Sequence, residues 1–316
     1  MLEAGGPELS RLLRQTEVRL GQVAESHGGE LARHAGGILS AGGKRLRPLL
    51  VFLCAEAPRH ELVPAAVAVE LLHMATLVHD DVLDRAMLRR GRPTVFAEGG
   101  REAAIATGNL LFSRAFAELS GTGSREAVRS LSAASSALAR GELMQQADAW
   151  SEEVTAERYL ERCHLKTASL FEASCRLGAL FGGRSELAEP LGSFGSRIGL
   201  AFQIFDDVLD VAGPTERTGK PRGTDLIDGT VTLPLILARR RDPELRHLDL
   251  RELVTGLVQA AAVCDRIAVT GALGEAREQA LSYVAEAKAA LTDLDLTDRQ
   301  QVALELVADG VVERYA

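Results

Sequence analysis

The pentapeptide Asp-Asp-Val-Leu-Asp occurs twice in this chain of 316 residues, beginning at Asp80 and again at Asp206. Each copy follows an apolar run, LLHMATLV before the first copy and GLAFQIF before the second. In a helix, the first and last aspartates of each copy share one face because they lie four positions apart. Like charges at this spacing destabilise a helix, and desolvation beside apolar residues destabilises the carboxylates further. A bound cation would offset both effects.

Hard divalent cations prefer oxygen ligands of this kind. Mg²⁺ in particular uses one or two protein carboxylates and completes its coordination with water and the phosphate oxygens of a substrate. One copy would fit a solvated helix end equally well, but two copies after two apolar helices favour metal binding. The predicted metal ligands are Asp80, Asp81, Asp84, Asp206, Asp207 and Asp210.

Basic residues form short clusters that alternate with the two aspartate motifs. The clusters lie in GGKRLRP at 42–48, RRG at 89–91, HLKT at 164–167 and GKPRGTD at 219–225. Arginine binds phosphate oxygens bidentately, and lysine supplies a point charge. Any one of these groups would be read as a surface charge, but their alternation with the aspartates predicts a pocket for a phosphorylated substrate.

Helices are predicted for most of the chain because Ala, Leu, Glu and Arg dominate and alternating β-branched residues are scarce. Residues 62–83 are apolar nearly all round, as in the central helix of a bundle. No connecting segment is long enough to be a linker, so one all-α domain over residues 1–316 is expected. Further helices are predicted at 103–119, 125–148, 155–180, 187–212, 231–240, 250–262 and 275–291.

The overall composition argues against several classes of protein. The net charge of -8 disfavours a general nucleic-acid-binding protein. The four cysteines are widely spaced and form no CxxC pair, so four reduced thiols are expected. The N-terminal segment has no apolar run typical of a signal peptide, and a cytoplasmic location is expected.

The motifs together resemble the trans-isoprenyl diphosphate synthases, the family of farnesyl, geranylgeranyl and longer polyprenyl diphosphate synthases. The resemblance runs in order from about residue 36 to 241 and rests on GGKRLRP, ELLHMATLVHDDVLD, RRGRPT, HLKTASLF, GLAFQIFDDVLD and GKPRGTDLIDGTVTLP. It implies a homodimeric, isoprenoid-synthase-type helical bundle around a deep central cavity. It also implies Mg²⁺-dependent condensation of isopentenyl diphosphate with an allylic diphosphate.

The resemblance assigns roles to individual residues. Asp80, Asp84 and Asp206 would bind three Mg²⁺ ions, with the other three aspartates in support. Arg89, Lys166 and Lys220 would contact the allylic diphosphate, and Thr167 and Gln203 would stabilise the allylic cation. The isopentenyl diphosphate site would comprise Lys44, Arg47, His73 and Arg90, with Phe202 near the isopentenyl tail.

One position departs from the pattern of the family. Many members carry a second lysine shortly before the TLP segment, where this chain has Thr230. A second diphosphate-binding lysine is therefore in doubt, although Lys220 remains. No dedicated general base stands out, and the released pyrophosphate is the expected proton acceptor.

Product length should depend on the helix that carries Asp80, because the growing chain is expected to run towards its N-terminus. The small side chains of Thr76 and Ala75 predict a pocket that stays open past the first turn. Leu72, or a residue of another helix, would form its floor. The expected product is longer than farnesyl, in the hexaprenyl to decaprenyl range, and its release could involve transient contact with a membrane.

Three alternatives stay open at this point. The nearest is a geranylgeranyl diphosphate synthase. A subunit of a heteromeric prenyl synthase is a second, although a purely regulatory subunit would usually lack one of the aspartate motifs. A terpene cyclase is a third, but it would need neither GGKRLRP nor the second DDVLD, because it binds no isopentenyl diphosphate.

Overall fold

Regular structure in the described residues is almost wholly helical. The structure is a computed structural model that describes residues 2–313 except 27, 41, 42, 44, 58, 90 and 214–220, and describes only the backbone of residues 2–5 and 40. Within these ranges the strands are the two-residue β1 (Leu88–Arg89) and β2 (Arg92–Pro93), which pair antiparallel. The prediction of an all-α fold is confirmed.

The helices follow one another along the chain with short connections. A π-helical turn, His164–Ala168, joins α7 to α8, and a 3₁₀ turn, Ser185–Leu187, precedes α9. The helices are α1 (Leu2–Glu25), α2 (Gly29–Ser40), α3 (Leu46–Leu53), α4 (Leu62–Leu83), α5 (Val95–Ser120), α6 (Arg125–Ala147), α7 (Ala156–Cys163), α8 (Ser169–Gly182), α9 (Ala188–Ala212), α10 (Thr224–Ile227), α11 (Leu233–Arg241), α12 (Pro243–His247), α13 (Leu250–Leu253), α14 (Leu257–Val269), α15 (Ala272–Thr292) and α16 (Asp298–Glu313).

Several helix starts have a clear local cause. The hydroxyl oxygens of Thr94 and Thr155 accept hydrogen bonds from backbone N–H groups in the first turns of α5 and α7. Asp249 caps the short α13 in the same way. The prediction of one helix over 250–262 is wrong, because α13 ends at Leu253 and α14 begins at Leu257. Gly256, which lies between them, weakens a continuous helix.

Helix α4 is apolar on every face and largely buried. By length and composition it could cross a membrane, but 67% of its most apolar window is buried inside the protein. Its buried side chains include Leu71, Leu72 and Ala75. It packs against α1, α3 and α5, as expected of a central core helix.

The chain packs as two compact units. The first comprises Met1–Ser135, Leu170–Gly195 and Leu291–Leu306, and the second comprises Ser136–Ser169, Ser196–Ala290 and Val307–Ala316. The first unit contains α4 and therefore the first aspartate motif. The second contains the π-helical turn, the end of α9 and the second motif. The single domain over 1–316 and its central cavity stay predictions.

Candidate functional site: two aspartate motifs in different surroundings

The first motif lies at the C-terminal end of α4. Asp80 and Asp81 belong to its last turn, and Asp84 is the capping residue, whose N–H donates to the Asp80 carbonyl at 2.8 Å. Asp81 is buried, Asp80 is half-buried and Asp84 is exposed. The chain then turns through Arg85, which has a positive φ of 49°, and enters the small hairpin.

The hairpin returns Arg89 to the motif. Arg89 Nε donates a hydrogen bond to Asp81 Oδ1 at 2.8 Å. Burial raises the pKa of the Asp81 carboxyl, and the neighbouring Arg89 opposes that shift. Arg89 thus contacts the motif in this structure, and a guanidinium here could bind an anion beside it.

Arg47 lies in the first unit as a poorly compensated cation. Its guanidinium carbon is 4.7 Å from the ring centroid of Phe171. Burial lowers the pKa of Arg47 to about 10, although Glu70 opposes the shift. Among the described residues, none accepts a hydrogen bond from Arg47 Nε. Its neighbour Arg45, by contrast, is held by Glu17 and Glu70.

The second motif lies within α9, which continues to Ala212. Asp207 and Asp210 are each 4% exposed, whereas Asp206 is half-buried. The N–H of Asp225 donates to Asp210 Oδ2 at 3.2 Å, which ties the start of α10 to the motif.

A chain of hydrogen bonds holds Asp207. Tyr159 on α7 donates from its hydroxyl to Asp207 Oδ2 at 2.6 Å, and Gln203 Nε2 donates to Oδ1 at 2.8 Å. Thr167 in turn donates to Gln203 Oε1 at 2.7 Å. Burial, followed by the charge of Asp225, raises the pKa of Asp207 to about 7, while the Tyr159 and Gln203 bonds oppose the rise.

The π-helical turn places Lys166 and Thr167. The Ser169 N–H donates to the His164 carbonyl five residues earlier, and such bulges are frequent at functional sites. Lys166 Nζ lies 2.6 Å from Glu142 Oε2 on α6. Gly141 makes this approach possible, because a Cβ there would lie 2.6 Å from the Lys166 backbone nitrogen.

The other predicted site residues differ in burial, and three of them lie outside the part of the chain that the structure describes. His73 and Phe202 are half-buried, on α4 and α9. Lys44, Arg90 and Lys220 lie outside the described residues. On α4, Leu72 and Ala75 are fully buried, whereas Thr76 is half-buried and donates to the His73 carbonyl at 2.7 Å.

The chemistry of the motifs fits Mg²⁺ as a partly protein-bound ion. The donors are carboxylate oxygens, and Asp80 and Asp206 are each half-buried. Across the described part of the chain, no three His, Cys, Asp or Glu side chains are grouped closely enough to hold a metal by themselves.

Sequence reasoning missed three supporting residues. Tyr159 and Glu142 bind Asp207 and Lys166 from other helices, and local periodicity carries no signal for such long-range pairs. Gly108 on α5 faces His79, since a Cβ there would lie 2.3 Å from His79 Nε2. Glycines within helices, such as Gly108 and Gly141, were the available signal for close approach.

Comparison with known proteins identifies the family. The model of the polyprenyl synthetase family matches residues 30–263. Over 94% of both chains, the sequence is 37% identical to heptaprenyl diphosphate synthase component 2 of Geobacillus stearothermophilus. It is 38% identical to the geranylgeranyl diphosphate synthase of Methanosarcina mazei over 90% of both chains.

A solved structure extends the similarity to the fold. Polyprenyl synthase from Caulobacter crescentus, in complex with calcium and isoprenyl diphosphate, is 35% identical, with a TM-score of 0.86 over 98% of both chains. The isoprenoid-synthase-type fold predicted from the motifs is therefore confirmed. Sequence and fold agree, and the chain belongs to the polyprenyl synthetase family.

Proposed function

We propose that the protein condenses isopentenyl diphosphate with an allylic diphosphate, in a Mg²⁺-dependent reaction, to give an all-trans polyprenyl diphosphate. The observation that carries the proposal is the pair of aspartate motifs. Each has one half-buried carboxylate, Asp80 or Asp206, and a described basic residue, Arg89 or Lys166, in the same unit. Membership of the polyprenyl synthetase family makes the protein a prenyltransferase.

The reaction begins with loss of diphosphate from the allylic substrate. Arg89, Lys166 and Lys220 bind that diphosphate, and Asp80, Asp84 and Asp206 are the metal ligands. Mg²⁺, for which we propose three ions held by these aspartates, would supply the charge neutralisation that the leaving diphosphate needs. The calcium in the Caulobacter relative supports a divalent ion.

The allylic cation then needs oxygen dipoles and an apolar surrounding that excludes water. Thr167 and Gln203 supply the oxygens. Thr167 donates to Gln203, and Gln203 donates to Asp207, which Tyr159 also binds, so these hydrogen bonds hold both side chains in place. Isopentenyl diphosphate is bound without metal by Lys44, Arg47, His73 and Arg90, with Phe202 beside its tail. Its double bond attacks the cation, and the proton lost afterwards passes to the released pyrophosphate.

The product is proposed to be of medium or long chain length. Ala75 and Thr76 leave room beside α4, and Leu72 or a residue of another helix forms the floor. Geranylgeranyl diphosphate is the second candidate product, because a relative of nearly equal identity is named for it.

The assembly proposed is a cytoplasmic homodimer that contacts a membrane only transiently, at product release. A second subunit is an alternative that one relative favours, because it is named as component 2 of a heptaprenyl diphosphate synthase.

A product assay tests the proposal. The purified chain is incubated with farnesyl diphosphate, labelled isopentenyl diphosphate and Mg²⁺, and the dephosphorylated prenols are sized by chromatography. We expect a ladder that ends well beyond geranylgeranyl. In the Ala75→Phe variant the ladder should end earlier, because the ring fills the space beside α4.

A ladder that stops at geranylgeranyl would retain the reaction and refute the length. If the folded chain makes no product with any allylic primer, the aspartate assignment is wrong or a second subunit is missing. Adding a heptaprenyl synthase component 1 from a relative separates these two results.

A further inference from the structure

A surface cavity of about 480 Å³ lies within the second unit, between the start of α7 and the end of α11. We call it the arginine pocket. Its described lining contains no residue of either aspartate motif. The lining residues are Glu152, Glu153, Val154, Thr155, Ile236, Arg239, Arg240, Arg246 and His247.

Arg239 is the buried cation of the arginine pocket. It is 6% exposed, and its Nη1 donates to the Ser151 carbonyl at 3.2 Å. No acceptor for its Nε atom exists among the described residues. Burial lowers the pKa of Arg239, and the nearby Glu152 only partly opposes this. A buried guanidinium that lacks an acceptor and has only partial charge neutralisation favours binding of an additional anion.

Two further arginines converge on the same cavity. Arg246 donates from Nε and Nη2 to the carbonyls of Arg239 and Arg240 at 3.2 and 3.3 Å, which fixes its guanidinium at the end of α11. Arg240 is exposed. Three arginines face two glutamates in the lining, so the pocket is net cationic on a chain with a net charge of -8.

The size of the cavity narrows the class of ligand. Pockets of about 300–1,000 Å³ accommodate organic molecules rather than single inorganic ions. Guanidinium groups bind phosphate oxygens in bidentate fashion, and Glu152 and Glu153 could accept hydrogen bonds from hydroxyl or amino groups. A nucleotide or a similar phosphorylated molecule has both kinds of group.

We propose that the arginine pocket is a binding site for a phosphorylated small molecule, additional to the substrate sites of the condensation reaction. The ligand's phosphates bind Arg239, Arg240 and Arg246. Thr155, the N-cap residue of α7, lines this pocket. About one turn further along α7 lies Tyr159, whose hydroxyl donates a hydrogen bond to Asp207. A ligand in the pocket therefore contacts the helix that supports the second motif.

Hydrogen–deuterium exchange tests the site on the full chain without relying on catalysis. The probes are inorganic pyrophosphate and ATP, each added with EDTA, so that metal-dependent binding is absent. We expect slower exchange in segments 151–160 and 236–247. Sodium chloride at the same ionic strength should leave both segments unchanged.

The variants localise the effect. Arg240→Gln alters an exposed residue. It should weaken binding of whichever probe protects the wild-type protein by about tenfold. Arg239→Gln should weaken binding of the same probe at least as much, provided that the melting curve of this variant shows a folded protein. The matched control is Arg241→Gln on the same helix, because Arg241 is bound to Glu275 and to the Thr270 carbonyl and does not line the pocket.

Protection by either probe that is lost in Arg240→Gln and kept in Arg241→Gln supports the site. The proposal is overturned if neither probe protects the two segments in wild type. It is also overturned if sodium chloride protects them equally, or if Arg240→Gln binds as tightly as Arg241→Gln.

Discussion

The two aspartate motifs have the same five residues and different surroundings. In the first, α4 ends inside the motif, Asp84 is exposed, and Asp81 is bound by the charged side chain of Arg89. In the second, α9 continues beyond the motif, Asp210 is buried, and neutral donors bind Asp207. The pentapeptide therefore sets the spacing of the carboxylates, whereas tertiary structure sets their solvation and partners.

The largest expected effect is on catalysis, in which we expect both motifs to take part. We expect Asp80→Asn and Asp206→Asn each to lower kcat of the condensation by about a hundredfold or more, since each removes charge that binds the metal. Steady-state assays at saturating Mg²⁺ measure this, and Asp293→Asn, at an exposed position, is the control. Wild-type activity in either motif variant would mean that its motif does not serve the reaction.

Loss of Tyr159, one of the two neutral donors to Asp207, gives the next largest expected effect. Tyr159→Phe removes one hydrogen bond to Asp207, so the Mg²⁺ concentration for half-maximal activity should rise about tenfold to a hundredfold. Titration of activity with Mg²⁺ measures the shift, and Tyr283→Phe is the matched control. An unchanged Mg²⁺ dependence in Tyr159→Phe would show that Tyr159 is purely structural.

The smallest expected effects are on the free energy of unfolding, which should differ between substitutions at the two motifs. Gln203→Leu leaves two buried groups without a partner and should lower the free energy of unfolding by about 1–3 kcal/mol. Arg89→Gln should lower it by at most about 1 kcal/mol, because Arg89 is partly exposed and its ion pair is screened.

Urea unfolding measures both losses in the stability comparison. Gln259→Leu, an exposed substitution, is the control for the change of side chain. Equal losses in Gln203→Leu and Arg89→Gln would contradict a difference in surroundings between the motifs.

The sequence allowed prediction of the features that depend on near neighbours. Helical periodicity identified α4, and the repeat of DDVLD identified Asp80 and Asp206 as related residues. Tyr159 could not be found in this way, because it lies 48 positions from Asp207 and the pairing depends on helix packing. The π-helical turn at Lys166 was missed for the same reason, since HLKTASLF has the composition of an ordinary helix.

Helix boundaries were the weakest part of the prediction. The segment 250–262 has a helical composition, but the capped turn at Asp249 and the break at Gly256 divide it. Burial of Asp207 and Asp210 was also not predictable, because the same pentapeptide leaves Asp84 exposed.

Anomalous diffraction from crystals grown with Mn²⁺ and pyrophosphate would show directly whether both aspartate motifs bind metal, since Mn²⁺ can replace Mg²⁺ at oxygen ligands. We expect Mn²⁺ peaks beside Asp80 and beside Asp206, with pyrophosphate oxygens completing the coordination of each ion and with Asp207 still bound to Tyr159. Pyrophosphate without Mn²⁺ at either motif, or Mn²⁺ at one motif alone, would contradict it.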